Sequence, residues 1–270
     1  MRQLTQLPKS AKRAATLLLI LCAWFFIAPW TSKFDAKNPD WDLPSAPPSI
    51  ASGHYFGTDA IGRDLYVRAA AGGRLSLAVG VSAALIALIL GTLYGALAGF
   101  VGGWLSEAMM RVVDLCATLP FLLIVIFVLT LFTPSIGLLI LLLASYGWLD
   151  VARVVKLEAS ALSERGYMRA AEVLGLSASR RLFVHLLPNL LPFALLALTL
   201  ALPSAVLMES FLSFLGVSPA QAQGSLGSLV SEGMQDREYA PWTLIVPAFV
   251  LTALLYALQE LTDGVRIALK

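Results

Sequence analysis

Residues 75–101 read LSLAVGVSAALIALILGTLYGALAGFV, with no charged side chain anywhere in the stretch. A helix needs about 20 mostly apolar residues to cross the hydrocarbon core of a bilayer. In lipid, backbone polar groups must also be satisfied within the segment, so such a run reads as a transmembrane α-helix. Small residues recur along it at every fourth position: Ala83, Ala87, Gly91, Gly95 and Gly99. Such a ridge lets a second helix backbone approach closely, although small residues are also common in membrane helices at large.

Five further apolar runs flank this one, at residues 14–30, 112–132, 136–155, 190–211 and 242–261. Their charges are few: Asp114 near the start of the third span, Asp150 and Arg153 near the end of the fourth, and Glu209 in the fifth. The short alternating strands of a membrane β-barrel are missing. The predicted fold class is therefore all-α, a polytopic integral membrane protein with six transmembrane helices. Pro120, Pro203 and Pro247 fall inside these helices and are expected to kink them or mark a gate. The first run is read as retained rather than cleaved, because it ends in aromatics and Pro29 with no small-x-small site after it.

Composition agrees. Of 270 residues, 58% are hydrophobic and 13% charged, against about 45–50% and about 25% in soluble domains. Mean hydropathy is +0.79. Disorder is excluded, and an ordinary soluble globule could not cover so much apolar surface. A net charge of +2 is too mild for nucleic-acid binding. Cys22 and Cys116 lie in apolar runs and read as small buried hydrophobes.

The basic residues set the orientation. With the N-terminus inside, thirteen Lys and Arg fall on inner segments and six on outer ones. Both termini are therefore expected to be cytoplasmic. The chain divides into an N-terminus with its first helix (1–30), an outer segment (31–74) and a transmembrane core (75–270) with an inner loop at 156–189.

Two polar segments carry the remaining information. The outer one begins with Pro39, Pro44, Pro47 and Pro48, reads as extended chain, and reaches Gly57-Thr58-Asp59-Ala60-Ile61-Gly62-Arg63-Asp64; Arg68 and Arg74 follow before the second helix. Taken alone, it fits a solvated polar loop. The inner one holds Arg153, Lys156, Arg165, Arg169, Arg180 and Arg181. From Ser163 to Leu174 its pattern is helical, with Tyr167, Ala170, Ala171 and Leu174 on one face. Gly175 is a suitable helix stop, and Ser177 a suitable N-cap for a second short helix. Pro188 and Pro192 mark the entry to the fifth span. A helix–Gly–helix elbow of this kind can dock into a groove on another protein. A loop whose charges only fix topology fits equally well.

Together these segments resemble the inner-membrane permeases of binding-protein-dependent ABC importers, in particular the C-type subunit of the dipeptide, oligopeptide and nickel branch. The family's GTD-x-x-GRD is Gly57, Thr58, Asp59, Gly62, Arg63 and Asp64. Its cytoplasmic EAA motif corresponds to Arg169, Ala170, Ala171 and Gly175, with His185, Leu187 and Pro188 at its end. Met110-Arg111 with Asp114, Pro120 and the Glu209 to Gly216 stretch also match. The resemblance runs from about residue 14 to residue 266. Arg169 stands where the family has Glu, and residues 224–227 lack a Trp often found there.

The resemblance implies a type I importer permease fold, a five-helix core plus an N-terminal helix, in a bacterial inner membrane. It implies a pathway shared with a second permease in a heterodimer, two ATPase subunits beneath, and a periplasmic binding protein above. The elbow would be the ATPase-coupling loop, and Glu209, Pro203 and Ser204 are candidates for gate or pore. No phosphate-binding loop occurs in the chain, so ATP and Mg are expected on the partner ATPases, with no cofactor, metal or catalytic constellation on this one. Di- or oligopeptides are the implied cargo. Nickel or a metal chelate is the alternative within the family. An ion-coupled secondary transporter, motivated by Glu209 and Asp150, or a membrane scaffold are the alternatives outside it. A carboxylate within a span is a functional candidate by default; for Glu209 a structural hydrogen bond or ion pair and a contact to a substrate amine are both open.

Overall fold

A computed structural model describes residues 8–219 and 224–268. The helices in chain order are α1 (Lys9–Thr31), α2 (Leu65–Val101), α3 (Gly103–Thr118), α4 (Phe121–Leu131), α5 (Ile136–Ser163), α6 (Gly166–Val173), α7 (Ala178–Arg180), α8 (Leu187–Phe214), α9 (Leu226–Asp236) and α10 (Trp242–Ala268), with a π-helical stretch, Arg181–Leu186, joining α7 to α8. Five helical units are long and apolar enough to cross a membrane, and the bent pair α3 and α4 makes up to six.

The third span departs from expectation. Instead of one helix over 112–132, it breaks between Thr118 and Phe121 and bends by 75°. Pro120 sits at the break, ahead of α4, rather than inside a helix. Proline has no N–H to give the preceding turn, and it restricts Leu119 to extended backbone, which Leu119 adopts at ψ 131. Pro203 and Pro247 do lie within α8 and α10.

The small-residue ridge of α2 lies against α5. A Cβ on Gly91 would stand 2.6 Å from Val151, one on Gly95 2.5 Å from the Ala152 carbonyl, and one on Gly99 2.5 Å from Ala159. Partners advance along both helices together, so α2 and α5 run parallel. Val206 of α8 packs on Gly80, and Phe25 of α1 on Gly73. The core has three main layers. One joins α1, α2, α8, α9 and α10 around Phe25 and Leu254. A second joins α2, α4, α5 and α8 around Val79, Leu139 and Leu212. A third joins α2, α5, α6 and α8 around Val155, Leu186 and Leu190.

At about 1.5 Å per residue, α2 is roughly 55 Å long, well beyond a hydrocarbon core of about 30 Å. Its extra length holds Arg68 and Arg74, which were expected ahead of the helix. Asp64 starts it there, its carboxylate accepting from the Val67 N–H at 2.9 Å. Similarly, α5 continues through residues 156–163, the first part of the expected inner loop. The GTDAIGRD segment and the α6 elbow thus occupy opposite ends of the bundle. The first residues of α1 and the last of α10 lie at the elbow end.

Candidate functional site

The GTDAIGRD segment is a buried knot and not a solvated loop. Thr58, Asp59 and Asp64 are all buried. Gly62 adopts φ +87 and Gly57 φ +79, conformations that favour glycine. A Cβ on Gly62 would also stand 2.0 Å from the Asp40 carbonyl oxygen. Thr58 and Asp64 form an antiparallel bridge that closes the turn. The Thr58 hydroxyl donates to the Leu43 carbonyl at 2.6 Å and accepts from the Ala46 N–H at 2.7 Å. The Trp242 indole donates to the Thr58 carbonyl at 3.0 Å, tying the turn to α10.

Asp59 is the electrostatic centre of the knot. It accepts from the backbone N–H groups of Ile61 and Arg63 at 3.1 and 2.8 Å, from Arg63 Nε at 2.6 Å and from Arg68 Nη1. Arg68, itself buried, reaches on to Glu232 of α9 at 2.8 Å, and Arg63 does so at 3.1 Å. Two guanidinium and two carboxylate groups therefore link the turn, α2 and α9. Asp64 accepts from His54 Nδ1 at 2.8 Å, and the His54 ring stacks on Phe34 with centroids 3.9 Å apart. Arg68, Glu232, His54 and Trp242 were not singled out as site residues. Arg68 and His54 flank the motif closely enough to be suspected, but the closing partners, Glu232 and Trp242, lie about 170 residues away.

The elbow has the expected helix–Gly–helix outline with different boundaries. α6 spans Gly166–Val173, and Gly175 follows at φ +76. Met168 and Ala171 are its buried side, packed toward α5 and α8. Tyr167, Ala170, Val173 and Leu174 face outward, with Val173 87% and Leu174 78% exposed. Of the predicted stripe, only Ala171 turns inward. Arg169 is exposed, whereas Arg181 pairs with Glu172 at 2.9 Å and lies 5.5 Å from the Phe100 ring centre.

No separate short helix follows Ser177. Residues from Ala178 to Phe214 run as one apolar helical unit, with Ser177 capping it at 3.4 Å from the Arg180 N–H. Pro188 lies one turn inside, where it has no N–H to give a carbonyl four residues back. The turn ahead of it is widened into the π-helical stretch that contains His185, with the Leu187 N–H bonding five residues back to Leu182. Asn189 Nδ2 donates to the His185 carbonyl at 2.6 Å. Such single-turn π segments often mark functional sites.

Between the two ends, α2, α4, α5 and α8 enclose a cavity of about 470 Å³. Its walls are mostly small and apolar, including Ala83, Ala87, Ala201 and Met208, with Tyr146, Asp150 and Ser204 as polar members. Of the three gate candidates, only Ser204 lines it. Pro203 is buried in α8. Glu209 is fully buried, and its carboxylate accepts from Ser213 Oγ at 2.8 Å and Ser210 Oγ at 3.2 Å. Among the described residues these hydroxyls are its partners, and no ion pair forms there. Close by, α9 presses on α8: a Cβ on Gly227 would stand 1.9 Å from the Ser210 carbonyl. The sequence reading took this stretch as an outer loop. Its Ser- and Gly-rich helix carries too few apolar residues to register as one.

A broken span, a buried outer turn and an outward-facing inner elbow on a parallel α2–α5 pair define a membrane permease core. The family described as "Binding-protein-dependent transport system inner membrane component" matches residues 91–264. The chain belongs to that family. The oligopeptide transport system permease protein OppC of Haemophilus influenzae is 38% identical over 261 residues, covering 97% of this chain and 84% of that one. OppC of Escherichia coli K12 is 42% identical over 257 residues, 95% of this chain and 85% of that one. The dipeptide permease DppC of Bacillus subtilis is 35% identical over 262 residues, 97% and 81% respectively. In fold, the chain resembles the MetNI methionine ABC transporter in its inward facing conformations. The TM-score is 0.52 over 72% of this chain and 94% of that one, at 19% identity.

Proposed function

We propose that this chain is one of two membrane subunits of an ATP-driven importer that takes up di- or oligopeptides across a bacterial inner membrane. The observation that carries the reading is the elbow. Met168 and Ala171 fasten α6 to the transmembrane helices, while Tyr167, Val173 and Leu174 stand unpartnered on its outer side. An apolar face held rigidly against moving helices is suited to transmit a push from a docked subunit. In this reading Arg169, Ala170, Ala171, Gly175, His185, Leu187 and Pro188 form the coupling element. Separate ATPase subunits, binding ATP and Mg, press on it from the cytoplasm. Arg169 cannot accept from a basic ATPase residue as a Glu could, so contact there is apolar or with an acidic group.

The outer knot faces a binding protein that delivers substrate, and a second, non-identical permease completes the pathway along the cavity. Both termini are cytoplasmic in this reading, supported by the Lys and Arg bias and by the position of both described ends beside the elbow. Peptides are the proposed cargo because the curated relatives are oligopeptide and dipeptide permeases.

The test is uptake of labelled tripeptide into proteoliposomes holding the full complex with its binding protein. Uptake that persists with an uncoupler and stops with vanadate is expected; the reverse pattern would identify an ion-coupled transporter. Leu174→Asp with Val173→Asp should abolish co-purification of the ATPase while leaving the melting temperature of the permease pair unchanged. Retention of the ATPase by this double variant would refute the coupling role.

A further inference from the structure

Asp150 was expected near the end of its span, but α5 runs on to Ser163, which places this carboxylate midway along the helix. It is the one charged residue among those lining the cavity, and it is 80% exposed. Only Arg153 answers it, with Nη1 donating to Oδ1 at 3.0 Å. That guanidinium is divided, its Nη2 also donating to Asp114 of α3 at 3.3 Å. One cation therefore serves two carboxylates, and the group keeps a net charge of −1 on the cavity side. Tyr146, one turn away on α5, and Ser204, on α8, line the same space. The remaining wall is largely Ala, Leu, Val and Met.

We propose that Asp150 is a cation-binding station in this cavity, receiving the N-terminal ammonium of a peptide in passage; this rests on the importer reading above. The chemistry selects the ligand. An under-neutralised carboxylate in an apolar, partly enclosed space attracts a positive group far more strongly than it would in water. Every unblocked peptide carries an N-terminal ammonium whatever its side chains. The small apolar walls make no demand on those side chains, so one fixed charge can serve varied cargo. A weak, solvent-exposed station also suits passage, which requires binding favourable enough to enter and weak enough to leave.

The cavity's charge preference can be read without transport. In the assembled complex, Cys22 and Cys116 are replaced by Ala and Ser204 by Cys. The new thiol is then labelled with a cationic and an anionic methanethiosulfonate, and the ratio of the two rates is taken. Asp150→Asn should lower the cation-to-anion ratio about tenfold, as expected for removing one unit charge a few ångström away. Asp150→Glu should preserve the ratio, and Arg153→Met should raise it. A residue that only braces α3 against α5 predicts the same change from Asp150→Asn and Arg153→Met, and that result overturns the proposal, as does a ratio insensitive to Asp150→Asn. Trialanine uptake by the complex with native cysteines and Ser204 is the second readout. A fall of fivefold or more in Asp150→Asn, with ATPase binding intact, is expected. A lowered ratio with unchanged trialanine uptake refutes the substrate assignment. Absence of ATP-dependent uptake in the wild type refutes the importer reading instead, and leaves the charge ratio to be judged alone.

Discussion

Replacing Arg68 by Met removes the cation that bridges Asp59 and Glu232 while keeping an aliphatic stem in place. Breaking a buried pair by removing one partner typically costs about 3–5 kcal/mol, because a buried charge is left uncompensated. Here the loss is smaller. Asp59 keeps Arg63 Nε at 2.6 Å and two backbone N–H donors. Glu232 keeps Arg63 at 3.1 Å and is 38% exposed, so solvent screens part of its charge. About 2 kcal/mol is therefore the expected loss. For a chain of this size that corresponds to roughly 4–8 °C in melting temperature. The assay is thermal unfolding of the detergent-solubilised complex, followed by tryptophan fluorescence, since Trp242 binds the same turn. Glu232→Gln should cost less, and the double variant should cost less than the sum of the two single losses, because the residues share one network. The control is Arg74→Met, an exposed residue on the same helix with no ion pair among the described residues, which should melt within a degree of the wild type. If Arg68→Met also melts within a degree of the wild type, the knot is not held by this network and the reasoning fails.

Other consequences can be tested in the same preparation. Gly62→Ala forces a side chain into the left-handed region and onto the Asp40 carbonyl, so it should destabilise by more than about 1 kcal/mol, read as a lowered melting temperature. Gly95→Val drives a branched side chain into the Ala152 backbone, which cannot yield; a loss of about 3 kcal/mol and a sharp drop in recovered complex on size-exclusion chromatography are expected. Glu209→Gln keeps an acceptor for Ser213 and Ser210, so tripeptide uptake should stay within about threefold of the wild type, whereas Glu209→Ala, which strands two buried hydroxyls, should cost about 1–3 kcal/mol. A collapse of uptake in Glu209→Gln with unchanged stability would show that the negative charge itself takes part in transport.

The family motif at residues 57–64 was legible as a string, but its physical state was not. Eight mixed residues carry no periodicity, and burial of Asp59 and Asp64 depends on cations and a histidine supplied from outside the string. In the elbow, the helix and its glycine stop followed from spacing and from the φ that Gly175 adopts. Which face turned outward did not follow, because Met168 and Leu174 are equally apolar and only the position of α5 and α8 chooses between them. α9 was missed for a related reason: its packing rests on Gly227 and Gly233 against backbone, a fit with no hydropathy signal.

The sequence by itself determined that the chain is a bundle of membrane helices, where most of them run, and which polar segments face partners. These are properties of local composition, since a bilayer accepts an uncharged apolar helix wherever one occurs. Only the tertiary structure decided that Pro120 breaks the third span by 75°, that Arg68 and Glu232 close the outer knot, and that Asp150 stands midway along α5 in a cavity. Each of these depends on groups far apart in the chain meeting across helix interfaces, where close approach and charge compensation, rather than hydrophobicity, set the arrangement.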